Sequence, residues 1–477
     1  MTSGPARRAV PALAAAAALA VGLWRITAPP LWRDEAATLS AAATRSLLDL
    51  LRLLGNIDAV HGLYYLFMHA WTAVFGTGDL AIRLPSVLAL AGAAATVAAL
   101  GGRLADARVG MTAGLLVAVS PVLSRHAQEA RQYTVTTALA AVSTYLLVRA
   151  VQERTRRRFA IYAASVTLVG WIHMFTLLIL PAHLAALWTV RGDRAVLLRW
   201  AAAAGAGAAV FSPILPLALR QRAKQVDWIT APDAAAVMRL LEAFAGGRIL
   251  IVPVLVLAAA AWWWRPDPRA RVDLRILATA WAVLPPALLL AASLIEPIYW
   301  LRYVIFAVPG VALLVALGLR VLPWWGAVPA LAAMLALTVP MHLQVRSPES
   351  RVDDVRQVAR IIAEHRRPGD GLVFEEEIYR RITAAEPKAF AGLPDLTVDR
   401  PAADAADLQG SEISDVSILR RRAARVRRVW YVDRSDLEGA PGSWERVKED
   451  EFRRSTKWRR VGRWQFRGGT VRLYERR

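Results

Sequence analysis

Long apolar runs fill the chain up to about residue 342, with short polar segments between them. A helix needs about 20 apolar residues to cross the ~30 Å hydrocarbon core of a bilayer, and fewer where its ends snorkel. By this measure the pattern predicts about eleven membrane-spanning helices in an all-α module over residues 1–342. They cover residues 9–24, 84–101, 109–123, 133–148, 159–190 (two helices), 200–219, 249–264, 276–295, 303–319 and 324–341.

From residue 343 to residue 477, charged residues and short alternations replace the apolar runs. Residues 352–366 have helical spacing, residues 371–374 and 426–433 have strand-like patterns, and residues 460–474 predict a hairpin turning at Gly468-Gly469. These elements predict a small soluble α/β domain after the membrane module.

One connection between predicted spans, residues 25–83, is long and carries helical patterns of its own. We name it the 25–83 segment. Residues 44–54 place leucines on one face and charged residues elsewhere, and residues 63–75 form a second, aromatic-rich helical pattern. Amphipathic helices lie in the membrane interface. The segment is therefore predicted to hold two interfacial helices.

The distribution of positive charge predicts the orientation. The chain has 59 basic and 38 acidic residues, a net charge of +21. Basic residues are retained on the cytoplasmic side of a membrane, and here they concentrate in alternate loops, as in the run Arg154, Arg156, Arg157 and Arg158. This places the 25–83 segment and the C-terminal domain on the extracytoplasmic side of a bacterial plasma membrane. The basic cluster at residues 420–428 suits nucleic acid, anionic lipid headgroups or cell-surface polymers, but a solvated helix face beside a strand is the favoured interpretation, and no nucleic-acid partner is predicted.

Composition excludes several classes of protein. Hydrophobic residues make up 56% of the chain and charged residues 20%, which is unlike a soluble enzyme. The absence of cysteine excludes disulfides, thiolate metal sites and cysteine nucleophiles. No spacing typical of metal-binding histidines stands out, and no glycine-rich phosphate loop is present. The sequence therefore predicts neither a metal nor a cofactor.

Two adjacent carboxylates, Asp34 and Glu35, follow the first predicted span. A carboxylate beside a low-dielectric region is costly, and the raised pKa that results suits a general base. An ion pair with Arg33 or Arg25 explains the same residues without catalysis. The two interpretations are equally good from this segment alone.

Three further polar clusters fall at ends of spans that are predicted to face the same side. They are Asp58, His61, Tyr64, Tyr65 and His69; then Arg125, His126, Gln128, Glu129, Arg131 and Tyr133; and then Glu296, Tyr299, Arg302 and Tyr303. Snorkelling to lipid headgroups explains Arg131 or Arg302 taken singly. Together with the carboxylates they suit an anionic, lipid-linked substrate, with guanidinium groups on a phosphate and a carboxylate that activates a hydroxyl.

Four motifs, taken in order, resemble those of the GT-C membrane glycosyltransferases. They are Leu31-Trp32-Arg33-Asp34-Glu35-Ala36, His61-Gly62-Leu63-Tyr64-Tyr65, Arg83-Leu84-Pro85-Ser86 and Gln128-Glu129-Ala130-Arg131-Gln132-Tyr133. The resemblance is to the branch that holds dolichyl-phosphate-mannose protein mannosyltransferases and the bacterial lipid A aminoarabinose transferase. It implies a GT-C helix bundle with two interfacial helices in the first loop, and a donor sugar carried on a polyprenyl phosphate.

The resemblance also implies roles for single residues. Asp34 matches the base that deprotonates the acceptor, with Glu35 as its neighbour. The residues expected near the donor phosphate are Arg131, Arg302 and His61, and those expected to line the cavity are Tyr64, Tyr65, Glu129, Tyr133 and Tyr303. Where the family usually has His-Pro-Pro-Leu-Tyr-Tyr, this chain has His61-Gly62-Leu63-Tyr64-Tyr65, without the two prolines.

The predicted function is transfer of a sugar, with mannose favoured by the resemblance, to a hydroxyl of a cell-envelope acceptor. A single displacement would invert the anomeric centre. Besides the donor and the acceptor, the expected partners are membrane lipids. One alternative is a transporter or flippase for a lipid-linked or anionic substrate. Another is a membrane anchor that presents the C-terminal domain to a wall polymer.

Overall fold

The structure is a computed structural model that describes residues 5–267, 270–434 and 439–477. Predictions that extend over residues 1–4, 268–269 and 435–438 lie outside the described residues there. The α-helices up to residue 345, numbered in chain order, are α1 (Pro5–Leu23), α2 (Arg33–Ala42), α3 (Leu47–Asn56), α4 (Gly62–Phe75), α5 (Asp79–Leu104), α6 (Ala107–Ala118), α7 (Pro121–Ala127), α8 (Tyr133–Glu153), α9 (Arg156–Ile172), α10 (Ile179–Ala186), α11 (Arg194–Phe211), α12 (Leu215–Val226), α13 (Ala234–Ala245), α14 (Ile251–Ala260), α15 (Leu274–Ser293), α16 (Val308–Val321) and α17 (Trp324–Val345).

Every apolar run predicted to span the membrane contains a helix, although several of these helices are short or broken. Within the described residues, five helices are long and apolar enough to cross a membrane, and two bent pairs raise the number to seven. The predicted count of about eleven is therefore not confirmed. The bends have local causes: Pro121 starts α7 after a break, and Gly246 and Gly247, both with positive φ, follow α13.

The chain divides into two compact units. The first unit contains Met1–Ile26, Asp58–Tyr64 and Leu80–Arg346. The second unit contains Thr27–Ile57, Tyr65–Asp79 and Ser347–Arg477. Most of the 25–83 segment therefore belongs to the same unit as the C-terminal domain, a grouping that the sequence did not predict.

Small residues bring the helices of the first unit into close contact. A Cβ atom at Gly310 of α16 would lie 2.6 Å from the backbone nitrogen of Ala282 in α15. A Cβ atom at Gly110 of α6 would lie 2.4 Å from the carbonyl oxygen of Ala98 in α5. Such approaches increase van der Waals contact between helices, which matters in lipid because burial there gains no hydrophobic energy.

Buried polar side chains satisfy the carbonyl groups at the end of α1. The fully buried Arg346 donates to the carbonyl oxygens of Val21 at 2.6 Å and Trp24 at 2.9 Å. The side-chain amide of Gln128 donates to Gly22 at 3.1 Å and also to Trp24. A cation at the carboxyl end of a helix is favoured by the helix dipole. The first residue of the Gln128–Tyr133 motif thus has a structural role.

The C-terminal domain, Ser347–Arg477, contains a mixed four-stranded sheet. Its elements are α18 (Val355–His365), β1 (Gly371–Phe374), α19 (Ile382–Ala385), α20 (Pro387–Phe390), β2 (Val398–Arg400), β3 (Ser411–Glu412), α21 (Val416–Ala423), β4 (Arg428–Asp433), α22 (Trp444–Phe452), β5 (Trp458–Phe466) and β6 (Gly469–Arg476). The sheet order is β1-β4-β6-β5, with β1 and β4 parallel and the other pairs antiparallel. The hairpin turns at Gly468, whose φ is 103°, as the sequence predicted.

The 25–83 segment forms three helices, α2, α3 and α4, where the sequence predicted two. Helix α2 gave no amphipathic signal because every residue from Glu35 to Ala42 is buried. Within the second unit, α2 packs on α19 and on the 3₁₀ turn Glu377–Arg381. The Ser40 hydroxyl donates to the Leu408 carbonyl oxygen at 2.6 Å. The C-terminal domain therefore encloses α2.

Candidate active site

Asp34 and Glu35 lie in the first turn of α2, where the helix dipole favours negative charge. Glu35 is fully buried, whereas Asp34 is partly exposed. Of the two carboxylates, Asp34 is thus the one that solvent can reach. Both residues belong to the second unit.

Contacts with the C-terminal domain hold the start of α2 in place. Trp32 precedes the helix and its side chain provides no cap. Instead, the backbone N–H of Arg33 donates to Asp353 Oδ1 at 2.9 Å, and the Arg33 guanidinium lies 3.5 Å from Asp353 Oδ2. Burial raises the pKa of Asp353 to about 6; Arg33 acts against this rise, and the charges of Asp34 and Asp354 add to it.

In the first unit, the turn between α7 and α8 carries the Gln128–Tyr133 motif. The buried Ser86 hydroxyl of α5 donates to the carbonyl oxygens of Glu129 at 2.7 Å and Arg131 at 3.2 Å. These bonds join the Arg83–Ser86 motif to the turn. The same bonds fix the backbone position of Arg131.

The His61 motif is joined to the same turn. The Gln132 side-chain nitrogen lies 2.7 Å from His61 Nδ1, in the 3₁₀ turn Ala59–His61 before α4. An amide N–H donates here, so His61 Nδ1 accepts and a neutral ring carries its proton on Nε2. The backbone N–H of Ala59 donates to Gln221 Oε1 at 2.9 Å and holds the turn in place.

Glu129 is fully buried and lies among positive or titratable groups. Its Oε1 is 3.1 Å from His126 Nδ1 and 3.7 Å from Arg125 Nε. Buried carboxylates are tolerated when they are paired in this way. The contacts give Glu129 a role in holding this turn.

Aromatic rings form a cluster around Arg302. The His173 ring lies 5.3 Å from the Tyr303 ring and 6.0 Å from the Tyr133 ring, between ring centres. The Arg302 guanidinium lies 5.4 Å from the Tyr133 ring centre and 5.9 Å from that of Tyr303. Cation–π contacts of this kind orient the plane of a guanidinium group.

His173 lies at the centre of this cluster. It is 4% exposed and lies within electrostatic range of His61, Arg131 and Arg302. The structure therefore brings together the three residues that were predicted for a donor phosphate. Of the predicted cavity-lining residues, Tyr133 and Tyr303 lie in the cluster, and Tyr64 and Tyr65 are fully buried in α4.

Sequence reasoning did not select His173 or Gln132. The signal for His173 is a histidine within a long apolar run, at the point where α9 ends and a 3₁₀ turn begins. Its Nδ1 atom is buried, and no hydrogen-bond partner for it is present within the part of the chain that the structure describes. Polar atoms buried without a partner are costly and often mark functional positions.

A small apolar cavity lies elsewhere in the first unit, between α6, α7, α13, α14, α16 and α17. Its lining includes Ser120, Pro121, Ala245 and Val308. A search for groups of His, Asp and Glu able to hold a metal ion found none among the described residues.

The fold and the cluster define a multi-pass membrane protein with a cationic, aromatic site at the ends of its helices. Residues 60–217 match the family model described as Dolichyl-phosphate-mannose-protein mannosyltransferase. A search of curated proteins found no match.

Crystal structures of ArnT from Cupriavidus metallidurans resemble the whole chain. The apo structure matches with a TM-score of 0.66 at 13% identity, over 97% of both chains. The structure bound to undecaprenyl phosphate matches with a TM-score of 0.62 at 12% identity, again over 97% of both chains. The chain thus has the fold of ArnT and matches the mannosyltransferase family model over residues 60–217, so the resemblance to the GT-C membrane glycosyltransferases that its motifs predicted is confirmed.

Proposed function

We propose that this protein transfers a sugar from a polyprenyl-phosphate donor to an acceptor hydroxyl on the extracytoplasmic face of a bacterial plasma membrane. The observation that carries the proposal is the gathering of His61, Arg131 and Arg302 around His173 in the first unit. Guanidinium groups can donate two parallel hydrogen bonds to the oxygens of one phosphate group, so a cluster of this kind can bind a phosphate monoester or diester. ArnT, which has this fold, was crystallised with a polyprenyl phosphate, and that ligand supports the same lipid class here.

In the proposed reaction, the bond between the anomeric carbon and a phosphate oxygen breaks while the acceptor oxygen attacks from the opposite side. The carbon gains oxocarbenium character, and negative charge grows on the leaving phosphate. Arg131 and Arg302 would stabilise this charge, and Asp34 would take the proton of the acceptor hydroxyl. The product is inverted at the anomeric carbon. The proposal requires that Asp34 reach the donor site in the working enzyme.

The apolar cavity suits the hydrocarbon part of the donor. Its lining is mostly aliphatic, and Val308 follows Tyr303 of the cationic cluster by one short turn. A polyprenyl chain would bury its methyl groups there at roughly 25 cal/mol per Å² of apolar surface. We propose this cavity as the binding region for the isoprenoid units near the phosphate.

The test is an assay of the purified protein with a panel of polyprenyl-phosphate hexoses and pentoses, following the release of polyprenyl phosphate. Asp34→Asn should lower kcat by at least about a hundredfold with a small change in donor KM. Asp49→Asn is the matched control, because Asp49 lies in the first turn of α3 in the same segment and is hydrogen-bonded only locally to Ser46 and Arg52 among the described contacts. It should keep wild-type activity.

Two results would contradict the proposal. One is wild-type transfer by a folded Asp34→Asn variant, which would remove this residue as the base. The other is movement of the intact lipid-linked sugar across vesicles with no release of polyprenyl phosphate from any donor. That second outcome would favour the flippase hypothesis.

A further inference from the structure

The start of α2 presents a capping problem. The first N–H groups of a helix have no partner within the helix, and a side chain just before it usually accepts from one of them. Trp32 occupies that position, and its indole has no acceptor. The helix that carries Asp34 therefore depends on an acceptor from elsewhere in the chain.

Asp353 provides this acceptor, from a position 320 residues further along the chain. Its carboxylate accepts from the Arg33 N–H at 2.9 Å, and a second bond follows two residues away, from the Val355 N–H to the Leu31 carbonyl oxygen at 3.0 Å. The two bonds pair residues 31–33 with residues 353–355. The carboxylate is 1% exposed, so water does not compete for it.

We propose that Asp353 is a positioning residue for the transfer reaction, because its carboxylate caps α2 and so fixes the direction in which the neighbouring Asp34 points. The inference rests on the proposed function. It gives the C-terminal domain a part in catalysis that does not require contact with either substrate.

The rest of the second unit holds Asp353 in place from the opposite side. A Cβ atom at Gly468, in the β5–β6 turn, would lie 2.5 Å from the Asp353 Cβ atom, so only glycine leaves room there. The Tyr379 hydroxyl donates to the Gly468 carbonyl oxygen at 2.9 Å, and the Asp354 N–H donates to that of Arg467 at 2.9 Å. The carboxylate is therefore clamped between the hairpin turn and α2.

Burial and the charges around Asp353 bring the titration of its carboxyl group close to neutral pH. Arg33 and Asp34 face it from α2, and Asp354 is its neighbour in the chain. Tyr379 faces it from the Glu377–Arg381 turn, and the hairpin contributes Arg467, whose guanidinium donates to the Arg351 carbonyl. Because burial raises the pKa of Asp353 to about 6, the carboxylate is ionised at neutral pH and loses its charge as the pH falls through that value.

Hydrogen exchange on a peptide spanning residues 31–38 tests the cap without any substrate. After correction for the intrinsic rate, exchange should be severalfold faster in Asp353→Ala than in the wild type at about pH 7.5, and also at about pH 5, because a protonated carboxyl keeps an oxygen that accepts from the Arg33 N–H. Asp415→Asn is the matched control, because Asp415 caps α21 in the same domain through a hydrogen bond to the Ser417 N–H at 2.7 Å. It should follow the wild type.

Kinetics test the positioning role. Asp353→Ala should lower kcat by about tenfold or more and change donor KM less than twofold, since it touches neither substrate. Asp353→Asn keeps an oxygen that can accept from the Arg33 N–H, so it should retain more activity than the alanine variant. It should also lose the change in kcat that the wild type shows near pH 6. If the alanine variant fails to fold, the asparagine variant carries the test.

The outcomes separate this inference from the proposed function. Wild-type kcat and wild-type exchange in Asp353→Ala, with Asp34→Asn inactive, would overturn the inference and leave the function standing. Protection of residues 31–38 that depends on Asp353, with no transfer from any donor, would overturn the function and with it the positioning role, leaving only a structural cap.

Discussion

Arg45 offers a quantitative test of how the 25–83 segment is attached to the C-terminal domain. It is 7% exposed, and its guanidinium donates to the carbonyl oxygens of Ser40 at 2.9 Å, Ala402 at 2.8 Å and Asp407. Arg45→Ala removes these three hydrogen bonds, although the Ser40 carbonyl oxygen still accepts from the Thr44 hydroxyl and the Ala402 carbonyl oxygen still accepts from the Asp407 N–H. At roughly 1 kcal/mol for each hydrogen bond lost, the expected loss of stability is about 3 kcal/mol.

The assay is thermal unfolding followed by tryptophan fluorescence, combined with limited proteolysis of residues 401–410. Arg45→Ala should unfold at a lower temperature and be cleaved faster in that loop. Arg52→Ala is the matched control, because Arg52 lies in the same segment, is 71% exposed and pairs only with Asp49 in the described contacts. It should behave as the wild type. An Arg45→Ala variant with unchanged stability and unchanged cleavage would refute the reasoning.

Three further predictions follow from the site and its surroundings. Arg302→Lys keeps the positive charge but loses the bidentate donor geometry of the guanidinium group and its planar contact with the ring of Tyr133. In the transfer assay, kcat/KM should therefore fall by about tenfold or more. Activity equal to that of the wild type would remove Arg302 from the phosphate site. Ala245→Phe narrows the apolar cavity, so KM should rise severalfold for a long-chain polyprenyl donor and remain unchanged for a short-chain analogue. The pKa of Asp353 is raised to about 6 from an ordinary 3.8. The contribution of Asp353 to the free energy of unfolding is therefore greatest below pH 3.8, and about 3 kcal/mol of it is lost as the pH rises from 3.8 to about 6. Chemical denaturation of Asp353→Asn at a series of pH values should not show this loss.

Local patterns predicted much of the fold. Strand β1 is found at residues 371–374, where the short apolar run predicted a strand, and the hairpin turns at Gly468, whose positive φ favours glycine. The apolar runs marked where the membrane helices lie. Their breaks were harder to place, since the bend at α7 depends on how Pro121 and its neighbours pack.

Residues whose structure depends on distant partners were not predictable. Helix α2 is buried on all sides, so it lacks the polar face that a periodicity analysis requires. The pairing of Arg33 with Asp353, and of Arg45 with residues 402 and 407, joins positions more than three hundred residues apart. A single sequence holds no signal for such pairs. Among the candidate site residues, the arginines and tyrosines were selected because their motifs are local, whereas His173 was not.

The two parts of the proposed chemistry lie in different units, and this separation predicts different kinetic effects. Asp34, its helix and its cap belong to the second unit, while His61, Arg131 and Arg302 belong to the first. Binding of the lipid phosphate should therefore depend on the first unit alone.

Titration with a polyprenyl phosphate that lacks a sugar measures this directly. Arg302→Ala should raise the Kd by about tenfold or more, because it removes a cation from the cluster. Asp353→Asn should leave the Kd within about twofold of the wild type while changing the pH dependence of kcat. If Asp353→Asn weakened lipid binding as much as Arg302→Ala, the two units would not have separate roles, and the proposed division between proton transfer and phosphate binding would be wrong.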